Sequence, residues 1–171
     1  ISDGRDEALS MTGADNNIIE YNDITIAGDY AASLETSSNN NNFTGNNITA
    51  SSYPVRIASG TGNRFVQNNI SGPTWVSDGT GSNYFNNSEG VGNIYYFSNG
   101  TPSWEVYSIS SLDGDNWADL GSDYPFNTST VSEFNGIGYP VDSHPYTESG
   151  LDCAELSTPN TVYNLTANVS I

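Results

Sequence analysis

A nine-residue pattern, Asn-x-[Ile/Phe]-x-x-Asn-[Asn/Asp]-Ile-[Thr/Ser], recurs without gaps at residues 17–25, 41–49 and 63–71. Its isoleucines, Ile24, Ile48 and Ile70, follow one another at steps of 24 and 22 residues, and a degraded fourth copy opens at Asn83-Tyr84-Phe85. A period of this size marks a solenoid, whose units bury their apolar faces only against their neighbours. Within one unit the apolar positions are Phe43, Ile48, Val55 and Ile57, separated by Asn, Gly and Pro54 with no helical spacing. Such punctuation predicts brief strands joined by tight corners. Two or three short strands per turn make one rung of a parallel β-helix, so the expected fold class is all-β, a right-handed parallel β-helix.

Stacked rungs would place Ile24, Ile48 and Ile70 above one another about 4.8 Å apart. Ile19, Phe43, Phe65 and Phe85 would form a second inward ladder. Asn22, Asn46 and Asn68 would form a third, at a corner where asparagine tolerates left-handed backbone and its amide bonds between rungs. Residues 1–100 are read as rungs, with Ala8, Leu9 and Met11 as core positions of the earliest one. Residues 101–150 read as a loop-rich closing region anchored by Trp104, Trp117, Tyr124, Phe126, Phe134, Tyr139 and Tyr146. Residues 151–171 read as a C-terminal strand segment, with Val162, Leu165, Val169 and Ile171 apolar among Thr, Asn and Ser. No N-terminal cap is evident, and a raw rung invites edge-to-edge association. Another subunit or an upstream domain is expected to cover it.

Three Lys+Arg stand against twenty Asp+Glu, a formal net charge of −17. Neutralising phosphates needs clustered basic residues, so nucleic acid is excluded as a partner, and anionic membrane surfaces would repel the chain. No stretch approaches the roughly 20 apolar residues of a membrane span. Residues 1–13 are polar and acidic where a secretion leader would be basic and then apolar, which suggests a mature or excised product. Cys153 is the lone cysteine, so no internal disulfide can form. Asn-x-Ser/Thr sequons start at Asn42, Asn47, Asn69, Asn86, Asn99, Asn127, Asn164 and Asn168. Eight in so short a chain point to a secreted, N-glycosylated protein.

Catalytic chemistry finds little support, and the chain is read as not an enzyme. Sugar-bond hydrolysis needs converging carboxylates; Glu20, Asp23, Asp29 and Glu35 read instead as a solvated face. His144, the only histidine, precedes Pro145 without a nucleophile–base partner pattern and reads as structural. No cofactor is required. Calcium is the one cation considered, because Asp113, Asp115, Asn116 and Asp119 offer hard oxygen donors within one loop, though without an EF-hand's central Gly and distant Glu. Trp75, Tyr95 and Tyr96 are the aromatics available to a polysaccharide if the chain is instead a carbohydrate-binding or adhesive module. A polysaccharide lyase or hydrolase is a remoter alternative.

Asn-rich rungs followed by Asp115-Asn-Trp-Ala-Asp119, Asn135-Gly-Ile-Gly138 and Tyr139-Pro-Val-Asp-Ser143 resemble archaeal cell-surface proteins with parallel β-helix repeats, related to the NosD-like family. The resemblance spans about residues 13–146. It implies a β-helix, an extracellular location and, from the label often given to that group, copper binding. In that family an Asn-Tyr-Trp-Ser-Asp segment precedes an Asp-Gly-Ile-Gly-Asp loop; Asn135 and Tyr139 stand here in place of its two Asp. A copper site would have only His144, Cys153 and Met11 as soft or imidazole donors. Residues 151–171 resemble the opening segment of a β-helix module in the same proteins, which implies head-to-tail assembly. The expected role is an extracellular structural subunit of a surface layer, sheath or filament, a homopolymer built through β-helix ends.

Overall fold

The computed structural model describes residues 7–137 and 140–148. Its strands fall into three parallel walls. The first runs β1 (Glu7–Thr12), β4 (Tyr30–Glu35), β7 (Tyr53–Ile57), β10 (Val76–Asp78) and β13 (Phe134–Gly136). A second runs β2 (Ile18–Glu20), β5 (Asn42–Thr44) and β8 (Arg64–Val66), and a third β3 (Asp23–Thr25), β6 (Asn47–Thr49), β9 (Asn69–Ser71) and β11 (Ile94–Tyr96). From β1 to β10 each strand pairs in parallel with the one three places further along, so the coil is a β-solenoid, as the repeat requires. Among the described residues no helix is long and apolar enough to cross a membrane.

The inward ladders follow the repeat. Ile24 pairs with Ile48, Ile48 with Ile70, and Ile70 with Tyr95. Ile19 pairs with Phe43 and Phe43 with Phe65, whose rings stack at 4.4 Å; Phe85 continues the stack 5.5 Å above Phe65. Phe43, Phe65, Phe85, Ile48 and Ile70 are fully buried, each side chain contributing roughly 1.5–3 kcal/mol of transfer free energy. In β1 the strand alternation turns Leu9 and Met11 inward and leaves Ala8 exposed. Ala8 is therefore not a core residue.

Two corners in each rung are turned by a left-handed residue. Asn16, Asn40 and Gly62 have φ of 58°, 55° and 72° at one corner; Tyr21, Gly45 and Gln67 have 56°, 65° and 58° at the next. Each immediately precedes a ladder asparagine. The left-handed position thus belongs to the neighbour of Asn22, Asn46 and Asn68 and not, as expected, to the asparagines themselves. Gly45 serves there because the Tyr21 ring lies where its side chain would be.

After β11 the chain leaves the regular coil, makes a short 3-10 turn at Ser103–Glu105 and returns as β13 on top of β10. The short antiparallel pair β12 (Phe126–Asn127) and β14 (Val141–Asp142) lies beside it. Phe126 and Phe134 seat on Trp75 and Tyr95, with Trp75–Phe126 at 5.8 Å and Tyr95–Phe134 at 5.5 Å. This aromatic layer closes the upper end of the core. Trp75 and Tyr95 are completely buried in it and are not a sugar platform; Tyr96 is half-buried against Trp104 at 5.7 Å.

Candidate functional site

The most ordered polar feature is a pair of asparagine ladders along the two corners. At the second corner the backbone N–H of Asn22 donates to Asn46 Oδ1 at 2.9 Å, that of Asn46 to Asn68 at 2.9 Å, and that of Asn68 to Asn93 at 3.0 Å. At the first corner Asn17, Asn41, Asn63 and Asn83 repeat the arrangement at 2.9, 3.0 and 3.0 Å. Each interior Nδ2 also donates downward to a main-chain carbonyl: Asn46 to Ile19, Asn68 to Phe43, Asn93 to Phe65. Buried backbone groups at a corner must find partners somewhere, and these side chains supply them. Only the Asn22–Asn46–Asn68 ladder was legible as such; Asn17, Asn41 and Asn63 sit in the same nine-residue pattern, and their recurrence was the signal for the other.

These ladders have a direction. Every rung donates backbone N–H upward and accepts on Oδ1 from below, so the lower end presents acceptors. There Asn17 and Asn22 are exposed, and among the described residues neither Oδ1 receives a bond. Among the described residues β1, β2 and β3 have no strand beneath them. Between them lies a cleft of about 560 Å³ lined by Ala8, Leu9, Ile19, Asn22, Asp23, Ile24 and Thr25.

At the upper end the ladder stops on a carboxylate. Asp142 Oδ2 accepts from the Asn93 N–H at 2.9 Å and the Tyr95 hydroxyl at 2.9 Å, while Oδ1 accepts from the His144 N–H at 3.0 Å. Burial pushes this carboxyl up to about 7, its hydrogen bonds opposing. Burial and the adjacent Asp142 push the Tyr95 hydroxyl well above its ordinary value. Gly92 is required beside it, because a side chain there would strike both Asp142 and the His144 carbonyl. Asp142 was quoted in the sequence only as part of a segment; its place in the ladder depends on a fold-back that no periodicity announces.

The acidic loop spends its carboxylates on turning the chain. Asp113 Oδ1 accepts from the Asp115 N–H at 3.2 Å, Asp115 Oδ1 from the Trp117 N–H at 2.8 Å, and Asp119 Oδ2 from the Leu112 N–H at 3.0 Å. The first of these bonds holds Asp113 below the usual carboxylate range. Asn116 takes a left-handed φ of 69° between them. Among the described residues no three His, Cys, Asp or Glu converge as a metal site. Met11 lies in the first rung and His144 beside Asp142 at the opposite end; Cys153 falls outside the described residues. The acidic residues of the lower rungs are likewise dispersed: Glu35 pairs with Arg56 at 2.6 Å, Asp23 accepts the Thr25 hydroxyl and the Asn47 amide, and Glu20 and Asp29 are exposed.

The sequons differ in access. Asn99 is exposed in a tight turn, with its Oδ1 on the Thr101 N–H at 2.9 Å. Asn47 is exposed but its Nδ2 donates to Asp23 at 3.1 Å, and Asn69, paired with it on the next rung, has its Oδ1 buried without a partner. Asn42, Asn86 and Asn127 are half-buried. Asn164 and Asn168 lie outside the described residues.

One family model matches the chain, over residues 1–101, and its description reads periplasmic copper-binding protein (NosD). No curated protein and no solved structure matches. The matched stretch holds the repeat and the lower four rungs of the solenoid, more than half of the sequence: the chain belongs to the NosD family.

Proposed function

We propose that this chain is an extra-cytoplasmic, non-enzymatic structural subunit that assembles end to end through its first rung into a surface layer, sheath or filament. The observation that carries the reading is the lower end, where among the described residues no layer lies beneath three strands, the Leu9, Ile19 and Ile24 side chains and two asparagine acceptors. Solenoid units draw their stability from neighbours, so an uncovered rung costs the apolar and hydrogen-bonding contribution of one interface. The NosD description supports a place outside the cytoplasm, and the sequons and acidic surface fit it. Among the described residues copper finds no pair of suitable donors, since the thioether of Met11 faces the core of one end and His144 lies at the other. Sedimentation velocity over a concentration series, with negative-stain electron microscopy, tests the proposal. Concentration-dependent linear assemblies are expected; a monomer at every concentration would sink it.

A further inference from the structure

Trp75 and Tyr95 lie inside the core, but two tyrosines of the second wall lie outside it: Tyr21 is 80% exposed and Tyr84 54%. The outer rank of that wall follows from its register, which sets Ile18 beside Asn42, Asn42 beside Arg64 and Arg64 beside Tyr84. Tyr21 stands at the corner that ends the lowest of these strands, its ring edge 2.7 Å from where a side chain on Gly45 would begin. The glycine thus provides the seat for an exposed ring. Along the solenoid axis Tyr21 and Tyr84 are three strand spacings apart, about 14 Å. Arg64 is exposed on the rung just below Tyr84, its guanidinium 5.6 Å from the centre of the Tyr84 ring. Among the described residues it pairs with no carboxylate, whereas Arg56 bonds Glu35 at 2.6 Å and Ser33 at 3.2 Å. A ring positions a cation without neutralising it, so the N–H fork of Arg64 stays open to an anion. One rung lower, the half-buried Asn42 amide and Thr44 hydroxyl make no hydrogen bond among the described residues.

We infer that this face binds an acidic polysaccharide, a chain of sugar rings bearing carboxylates. Arg64 holds a carboxylate in a bidentate pair, Tyr84 and Tyr21 take the C–H faces of sugar rings, and Asn42 and Thr44 meet their hydroxyls. Three features select this occupant. The main-chain groups of a sheet face are already paired, so a peptide strand, which docks on a sheet edge, gains nothing from them here. Two exposed rings separated along the axis fit an elongated ligand. An unpaired cation in a chain of formal charge −17 fits an anion. Glu20, exposed and in register with Thr44 one rung lower, repels charge from the lower part of the face, so the bound carboxylate sits at the Arg64 end.

Affinity electrophoresis of the full-length protein tests this, in gels containing polygalacturonate or, as a neutral counterpart, dextran. The protein is made without N-glycosylation, so that Asn42 is bare, and binding is read whether or not the chain polymerises. Retardation by polygalacturonate and none by dextran is expected. Arg64→Gln should weaken binding about 10-fold and Tyr21→Ala about 5-fold, while Glu20→Gln should strengthen it about 2-fold. Misfolding cannot produce the gain at Glu20→Gln, which keeps the test decisive if either other variant fails to fold. Equal retardation by dextran overturns the carboxylate, and an unretarded native chain, or one bound as well after Arg64→Gln and Tyr21→Ala, overturns the site. Should Arg64→Gln instead change the sedimentation of the chain alone, the face meets a second copy and the polysaccharide is overturned. A sugar found on Asn42 of the protein from its native host also overturns it, since it would stand in the middle of the face.

Discussion

Asp142 accepts from the Asn93 backbone N–H, at 2.9 Å, the bond that Asn93 itself accepts from Asn68 one rung lower at 3.0 Å. A carboxylate thus occupies the last asparagine position of the ladder, buried on all sides. Because its folded value is about 7 against an ordinary 3.8, the folded protein holds a proton that the unfolded chain has released between those values. Stability from this group is therefore full below about pH 4, declines as pH rises to about 7 and is flat above, at roughly 1.4 kcal/mol per unit and so up to about 4 kcal/mol in all. In Asp142→Asn the amide oxygen keeps Asn93 and Tyr95, but Nδ2 faces the His144 N–H. The variant should be less stable than native near pH 4, by about 1–3 kcal/mol, and equal or more stable near pH 8. Urea denaturation at both ends of the range checks the crossing; parallel curves would refute it.

Interior and terminal members of the same ladder should differ sharply. Asn68→Leu strands the Asn46 N–H and the Phe43 carbonyl inside the wall and takes one partner each from the Asn46 amide and Asn93 Oδ1, and should cost on the order of 3–5 kcal/mol or prevent folding. Asn22→Leu keeps the backbone N–H bond to Asn46 Oδ1, removes only the amide bonds to that oxygen and to the Glu20 carbonyl at an exposed end, and should cost about 1 kcal/mol or less. Thermal melts of both, normalised to native, measure the ratio; similar losses would mean that the ladder acts locally and not as a chain.

The fold was readable because a solenoid writes one rung many times: Ile24, Ile48 and Ile70 recur at the rung period, and register follows from recurrence alone. Corner geometry was misassigned because asparagine is prone to left-handed backbone and was credited with it, whereas Tyr21 and Gln67 take that conformation and free Asn22 and Asn68 to bond between rungs. Trp75 and Tyr95 were offered as exposed because, beyond the repeat, composition does not say what lies above a residue. Phe126 and Phe134, tens of residues later, bury both. Asp142 belongs to the same class: its role comes from a contact 49 residues away along the chain.

Gln67 is exposed and holds φ at 58°, where a side chain is strained by roughly 1–2 kcal/mol. Gly45 occupies the equivalent corner at 65°. Gln67→Gly keeps the backbone N–H bond to the Gly92 carbonyl and loses no buried contact. It should raise stability by about 0.5–1 kcal/mol, the strain relieved less the extra freedom of glycine in the unfolded chain. A lower melting temperature would show that the side chain contributes more than its exposure suggests.

Among the described sequons, Asn99 is the one that the folded chain leaves free. Its Oδ1 accepts the Thr101 N–H across an exposed turn, which leaves Nδ2 open to solvent, and Gly100 between them has nothing within 4 Å of a side-chain position. Asn47 and Asn69 are register partners on adjacent rungs, separated by one strand spacing of about 4.8 Å, less than the width of a sugar residue. A glycan on one excludes a glycan on the other, and the buried Oδ1 of Asn69 disfavours modification there in the first place. Glycopeptide mass spectrometry of the protein from its native host is expected to find Asn99 occupied and no molecule carrying sugar on both Asn47 and Asn69. Unmodified Asn99 beside a modified Asn69 would refute this order, and would require the third wall to open around β9 before the rungs close.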